Sequence, residues 1–155
     1  MSSEASALHP TAARFRERLR ERGLDFTVQM LPGSTRTATE AAAVVGCEVG
    51  QIVKSLVFVR GEEPVMVLCA GDRRVAADRL GLRAASADEA RAATGFSIGG
   101  IPPLGHDRPL ETLIDESLRR FETVWSAAGT PYAVFEADTE ALIAAIPHAN
   151  VLDTA

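Results

Sequence analysis

The sequence predicts an α+β fold in which helices are scattered around a sheet that is antiparallel at its centre. Two observations carry this prediction. First, the run over residues 52–59, Ile-Val-Lys-Ser-Leu-Val-Phe-Val, is β-branched, apolar or aromatic at both parities, as in a strand covered on both faces. It is followed by the turn residues Gly61-Glu62-Glu63-Pro64 and a second apolar run at 65–69, so the two runs read as a hairpin. Second, the remaining helical and extended segments do not alternate regularly, which argues against a succession of parallel βαβ units.

The elements follow in order. Residues 10–22 have Pro10 in the first turn, Phe15 and Leu19 one turn apart and Gly23 as a stop, which predicts a helix. A short strand is expected over 26–30, before the turn Pro32-Gly33-Ser34. Thr37 and Glu40 have the spacing of a capping box, opening an alanine-rich helix that ends at Gly46. After the hairpin, short helices are expected around 75–80 and, capped by Ser86 with Glu89, over 87–94. A loop covers 95–109, and strands are expected at 112–114 and near 123–125. Gly129-Thr130-Pro131 marks a turn before a strand at 132–135, and Asp138 caps a last helix through Ala145.

Composition narrows the class. With 155 residues, 46% apolar and 24% charged, the chain reads as one domain over 1–155, with a flexible stretch expected over 1–9. Such a chain buries roughly 70% of the surface it exposes when unfolded, enough to need neither disulfides nor a structural metal. Cys47 and Cys69 stand apart in apolar surroundings and read as small buried hydrophobes. The first residues lack a basic patch followed by an apolar run, and no segment approaches the roughly 20 apolar residues of a membrane helix. A cytoplasmic protein without membrane contact is expected.

A net charge of −5 opposes non-specific binding to nucleic acid, so a DNA-binding role is not expected and any RNA contact must be local. Arg14, Arg18 and Arg22 fall at helical spacing and form one basic stripe. Interleaved Glu17 and Glu21 give it the alternative reading of a solvated helix face.

The sequence contains no GxxxxGK[ST], HExxH, CxxC or GxSxG motif, and its three histidines offer no metal-ligating cluster. No cofactor is expected. The segment Gly99-Gly100-Ile101-Pro102-Pro103-Leu104-Gly105 misses the dinucleotide-binding spacing, and its adjacent prolines obstruct the helix such a site needs. Its glycines permit close backbone approach while its prolines stiffen it, so it is either a tight connection or a frame presenting N–H donors to an acyl oxygen. Lys54 stands within an apolar strand, where an ammonium must be paired, snorkel to water or perform chemistry. His106 follows the loop and is open to a structural or a pH-dependent role.

Ile52-Val53-Lys54-Ser55-Leu56-Val57-Phe58 resembles the lysine-bearing strand of the YbaK/ProX family, also called EbsC or prolyl-tRNA synthetase-associated. The segment from Thr94 to Gly105 resembles that family's glycine-rich loop with its G-x-x-x-P pattern. Weaker likenesses occur at Thr39-Glu40-Ala41-Ala42, Gly71-Asp72-Arg73-Arg74-Val75, Asp115-Glu116-Ser117-Leu118 and Ala128-Gly129, so that the resemblance spans about residues 35–150.

The resemblance implies a central, curved, mixed and largely antiparallel sheet flanked by helices. It also implies hydrolysis, in trans and without a metal, of the ester joining a mischarged amino acid to tRNA. The implied partners are the acceptor end of that tRNA and an aminoacyl-tRNA synthetase. Lys54, Gly99 and Gly100 are the expected catalytic groups, and Ser55, Ile101, Pro102, Pro103 and His106 the expected substrate contacts. Lys54 is assigned to charge stabilisation, because a Schiff base serves no purpose on an ester. Pro102 stands where bacterial Cys-tRNA(Pro) deacylases carry a serine, which leaves alanine, cysteine, 2-aminobutyrate, serine and threonine open as substrates. The competing class is a non-catalytic module that holds an aminoacyl or nucleotide end beside a synthetase.

Overall fold

The computed structural model describes residues 8–155. The expectation of a flexible start therefore falls largely outside the described residues. The chain forms α1 (Pro10–Glu21), β1 (Val28–Met30), α2 (Ala38–Val45), β2 (Val53–Arg60), β3 (Glu63–Ala70), β4 (Arg83–Ala84) and α3 (Ala87–Thr94). It continues with β5 (Glu111–Asp115), β6 (Thr123–Ala127), β7 (Ala133–Asp138), α4 (Thr139–Ala145) and β8 (Ala149–Leu152). One-turn 3₁₀ segments at Val49–Gln51 and Glu116–Arg120 lead into β2 and follow β5.

The helix starts follow the expected caps. Thr37 and Glu40 exchange both bonds of a capping box, as do Ser86 and Glu89, while the Asp138 carboxylate accepts from the Ala141 N–H at 2.9 Å. Around 75–80 the structure departs from the expected helix. The Ala76 N–H donates to the Thr154 carbonyl at 2.8 Å, so the segment is tied to residues 153–155, and residues 77–81 make a single turn.

Among the described residues the strands form two sheets, mixed and largely antiparallel as the resemblance implies. One has the order β1-β7-β6 and is antiparallel throughout. The other has the order β4-β2-β3-β5-β8, with β2 antiparallel to β3 and β4, and β5 parallel to both β3 and β8. Four of these six pairings are antiparallel, and one parallel bridge, Ile52 to Trp125, connects the sheets. The strand covered on both faces is β3, buried from Val65 to Ala70. In β2, Lys54, Ser55, Leu56 and Phe58 are only half-buried. For Lys54, Ser55 and Leu56 the cause lies at the edge of the sheet: β4 is two residues long and pairs only with Phe58 and Val59, leaving the first half of β2 without a neighbouring strand on that side.

The core joins α1 to both sheets. Ala12, Phe15 and Leu19 form its buried stripe at helical spacing. Phe15 meets Phe96 edge-on, with ring centroids 6.4 Å apart, and lies 5.5 Å from Phe135, which stacks on Phe26 at 5.4 Å. Phe135 is fully buried at the centre of this cluster. Phe135→Ala should therefore destabilise the protein by about 3–5 kcal/mol, read as a lower denaturant midpoint in equilibrium unfolding.

Candidate active site

A cavity of about 560 Å³ opens along the unpaired edge of β2. Every residue from Ile52 to Phe58 lines it, both parities together, because the strand presents its edge as well as one face. Ile98, Gly99 and Ile101 of the glycine-rich loop form the facing wall, and Thr35–Thr39, at and before the first turn of α2, form a third. Gly71, Ala84, Ala85, Ala90 and Ala127 complete the lining with small groups. The volume lies within the range of about 300–1,000 Å³ common for small-ligand sites.

Lys54 is the cation of the β2 wall, and its Nζ donates to the Arg73 carbonyl. An ammonium has three protons, so this bond leaves two for other acceptors. The Ser55 hydroxyl, also in this wall, is buried and has no hydrogen-bond partner among the described residues. Opposite, Gly99 takes φ +97°, a conformation that side chains disfavour. Among the described residues, the backbone N–H groups of Gly99 and Ile101 donate to no protein acceptor. A cation and two residues whose amides have no protein acceptor thus line the same cavity.

Gly100 has a different part. Its N–H donates to the Ser97 carbonyl at 3.1 Å, and its carbonyl accepts from the Gly129 N–H at 2.9 Å. A Cβ there would stand 2.6 Å from the Thr130 Cα. Gly100 therefore lets two backbones pack together, and its amide is not free to serve as an oxyanion donor.

The loop is held at both ends by α1. Arg14 donates to the Gly95 carbonyl at 3.1 Å, and Arg18 to the Gly105 carbonyl at 2.7 Å and to Asp107 at 2.8 Å. Both guanidinium groups lie over the Phe96 ring, at 4.9 and 5.8 Å. Two arginines of the basic stripe thereby bond the loop, a contact that neither reading of the stripe includes, while Arg14 stays exposed.

His106 is buried away from the large cavity, against a small space shared with Arg22, Pro103 and Ile146. Its Nε2–H donates to the Pro102 carbonyl at 2.7 Å, fixing the rigid side of the loop. Burial pushes its pKa below the ordinary histidine value, outweighing the bond to Pro102 that favours the cation.

Of the residues the sequence points to, the structure gathers Lys54, Ser55, Gly99 and Ile101 at the cavity. It sets Gly100, Pro102, Pro103 and His106 behind the loop. The sequence reading missed the Thr35–Thr39 wall and Arg36, although the capping box at Thr37 lies in the middle of that wall. Cys69 is fully buried and Cys47 partly so, and burial pushes both thiols up. Among the described residues no group of three or more His, Cys, Asp or Glu side chains is placed to hold a metal, and no helix is long and apolar enough to cross a membrane.

A lysine-bearing strand edge and a glycine-rich loop therefore share one cavity of small-ligand size. The family is shown by the sequence: the chain belongs to the aminoacyl-tRNA editing domain family, whose profile matches residues 33–145. It is an aminoacyl-tRNA deacylase, a hydrolase acting on the ester between amino acid and tRNA.

Among its relatives, the uncharacterized protein YwhH of Bacillus subtilis is 33% identical over 110 residues, 66% of this chain and 70% of that protein. A proline–tRNA ligase of Streptococcus equi is 29% identical over 110 residues, which are 66% of this chain but 18% of the ligase. The crystal structure of a candidate trans-editing enzyme for prolyl tRNA synthetase superposes with a TM-score of 0.87 at 46% identity, covering 95% of this chain and 98% of that one.

Two outcomes follow. Gly100→Ala should lower the melting temperature, because its methyl group meets the Thr130 backbone and no flexible side chain can move aside. An unchanged melting temperature would show that the two segments separate easily. For His106 the folded pKa lies below the unfolded value of about 6.5, so its contribution to stability is complete above that pH and is lost as pH falls from there toward the folded value. Between pH 7.5 and 5.5 the wild type should lose more thermal stability than His106→Gln, which keeps a donor for Pro102.

Proposed function

We propose that the chain is a trans-editing deacylase that removes a mischarged small amino acid, one of alanine, cysteine, 2-aminobutyrate, serine or threonine, from the acceptor end of tRNA(Pro). The observation that carries this reading is that one cavity is lined both by Lys54 and by Gly99 and Ile101, whose amides have no protein acceptor among the described residues. The likeness to part of the proline–tRNA ligases supports tRNA(Pro) and a prolyl-tRNA synthetase as the neighbouring partner. In this reading residues 1–155 act as one free-standing domain in the cytoplasm.

The chemistry asks little of a nucleophile. An aminoacyl ester is activated already, so its hydrolysis depends on placing the carbonyl and stabilising the charge that develops on its oxygen. The Gly99 and Ile101 N–H groups take the carbonyl oxygen, and Lys54 offsets the negative charge from the other wall. Water adds to the carbonyl carbon, the bond to the ribose oxygen breaks, and that oxygen takes up a proton. Free amino acid and tRNA leave. The unpaired Ser55 hydroxyl supplies a partner for the polar part of the substrate, while Ile52, Leu56 and Ile101 limit its size.

The test is release of amino acid from a panel of mischarged tRNAs by the wild type and by Lys54→Met, which retains most of the stem volume. The wild type should discriminate among the small amino acids and prefer tRNA(Pro). Lys54→Met should lose at least about tenfold in single-turnover rate, roughly 1.4 kcal/mol, with its melting temperature held. Binding without turnover across the panel would overturn the reading, and a normal rate in folded Lys54→Met would overturn the role of the lysine.

A further inference from the structure

Two sequence segments the mechanism leaves unused, at Gly71–Val75 and Asp115–Leu118, meet directly behind Lys54. The register explains how. Lys54 pairs with Cys69 across the hairpin, and Leu68 pairs with Ile114 across the parallel β3–β5 ladder, so Lys54, Cys69 and Asp115 form a row across three adjacent strands. The Asp115 side chain at the end of that row is completely buried.

Donors from three segments converge on this carboxylate. The Thr154 N–H and hydroxyl donate to Oδ1 at 2.9 and 3.0 Å, and the Ser117 hydroxyl donates to Oδ2. Arg73 Nε forms an ion pair with Oδ2 at 3.2 Å, without aligning its N–H on the oxygen. Burial by itself would push the Asp115 pKa up, but the bonds from Ser117 and Thr154 and the Arg73 charge outweigh it and hold the group below the ordinary carboxylate value. The residue that meets Asp115 through its side chain meets Lys54 through its backbone: the Arg73 carbonyl accepts from Nζ. A second anchor, Asp153, lies 3.2 Å from the Arg73 guanidinium on its exposed side.

We propose that Asp115 and Arg73 are positioning residues for Lys54: the buried carboxylate fixes the arginine, and the arginine's carbonyl fixes the ammonium at the cavity wall. A lysine stem has four rotatable bonds and holds one place only where a partner restrains its head. The Arg73 carbonyl is that partner, and it can aim the ammonium only while residue 73 is itself immobile. Neither Asp115 nor Arg73 lines the cavity, so both act through Lys54.

The proposal rests on the reading of Lys54 as the group that stabilises the developing charge, and a double-mutant cycle separates the two. Single-turnover deacylation, aminoacyl-tRNA binding and thermal unfolding are measured on the wild type, Lys54→Met, Asp115→Asn, Arg73→Gln and both double variants. Asp115→Asn and Arg73→Gln should each slow deacylation by about tenfold, roughly 1.4 kcal/mol, with binding of the tRNA retained. In the Lys54→Met background neither should slow it further, because the group they position is gone.

Multiplying rate losses in the double variants would show a merely structural role and overturn the proposal, as would a wild-type rate in folded Asp115→Asn or Arg73→Gln. A wild-type rate in Lys54→Met would remove the lysine's role and this proposal with it. Should Asp115→Asn fail to fold through loss of a buried charge, the Arg73→Gln cycle decides, since that side chain is about one-third exposed.

Discussion

The site depends first on the grip of α1 on the glycine-rich loop. A loop of this composition has no ladder of its own; Gly129 and His106 hold its middle at the Gly100 and Pro102 carbonyls, and its two ends need partners as well. Arg14 and Arg18 supply these, at Gly95 and Gly105, and Phe96 between them anchors the loop in the aromatic cluster. Hydrogen bonds from a charged donor contribute about 1.5–3 kcal/mol each, whereas the half-exposed Arg18–Asp107 ion pair is worth at most about 1 kcal/mol. Of the contacts from α1, the guanidinium-to-carbonyl bonds thus contribute more than the ion pair to holding the ends of the loop. An N–H donor contributes to catalysis only if it is already in position when charge develops.

A second constraint is the truncation of β4. Had that strand run the full length of β2, its ladder would have taken up the backbone edge and filled the space where the cavity lies. The edge is instead left to the cavity, with the loop standing across from it. An open edge invites pairing with another chain, and here it is recessed and flanked by a cation, the kind of protection edges require.

Local rules made much of this legible. The two capping boxes, the hairpin and the helix stops are decided by neighbours within a few residues, and they stand where the sequence places them. Lys54 announced itself as a charge in an apolar strand. What escaped was non-local. The short strand at Arg83–Ala84 and the strand at Ala149–Leu152 carry almost no periodic signal and exist because a neighbouring strand offers them partners. The bonds from Arg14 and Arg18 of α1 to the loop were not legible because the carbonyls they hold lie 81 and 87 residues away. His106 and Gly100 looked like site residues because they adjoin the loop in sequence, and distance along the chain does not say which side of a loop faces a cavity.

The support behind Lys54 has a consequence for how the molecule comes into being. The hairpin that carries the lysine closes early, as a local pairing with a two-residue turn, but the carboxylate beneath it is satisfied by Thr154, 39 residues further along the chain, after the parallel β5–β8 pairing has formed. Such pairings wait on loop closure and are slow to form. The surroundings of Lys54 are therefore complete only once residue 154, far beyond the hairpin in the chain, has docked on Asp115.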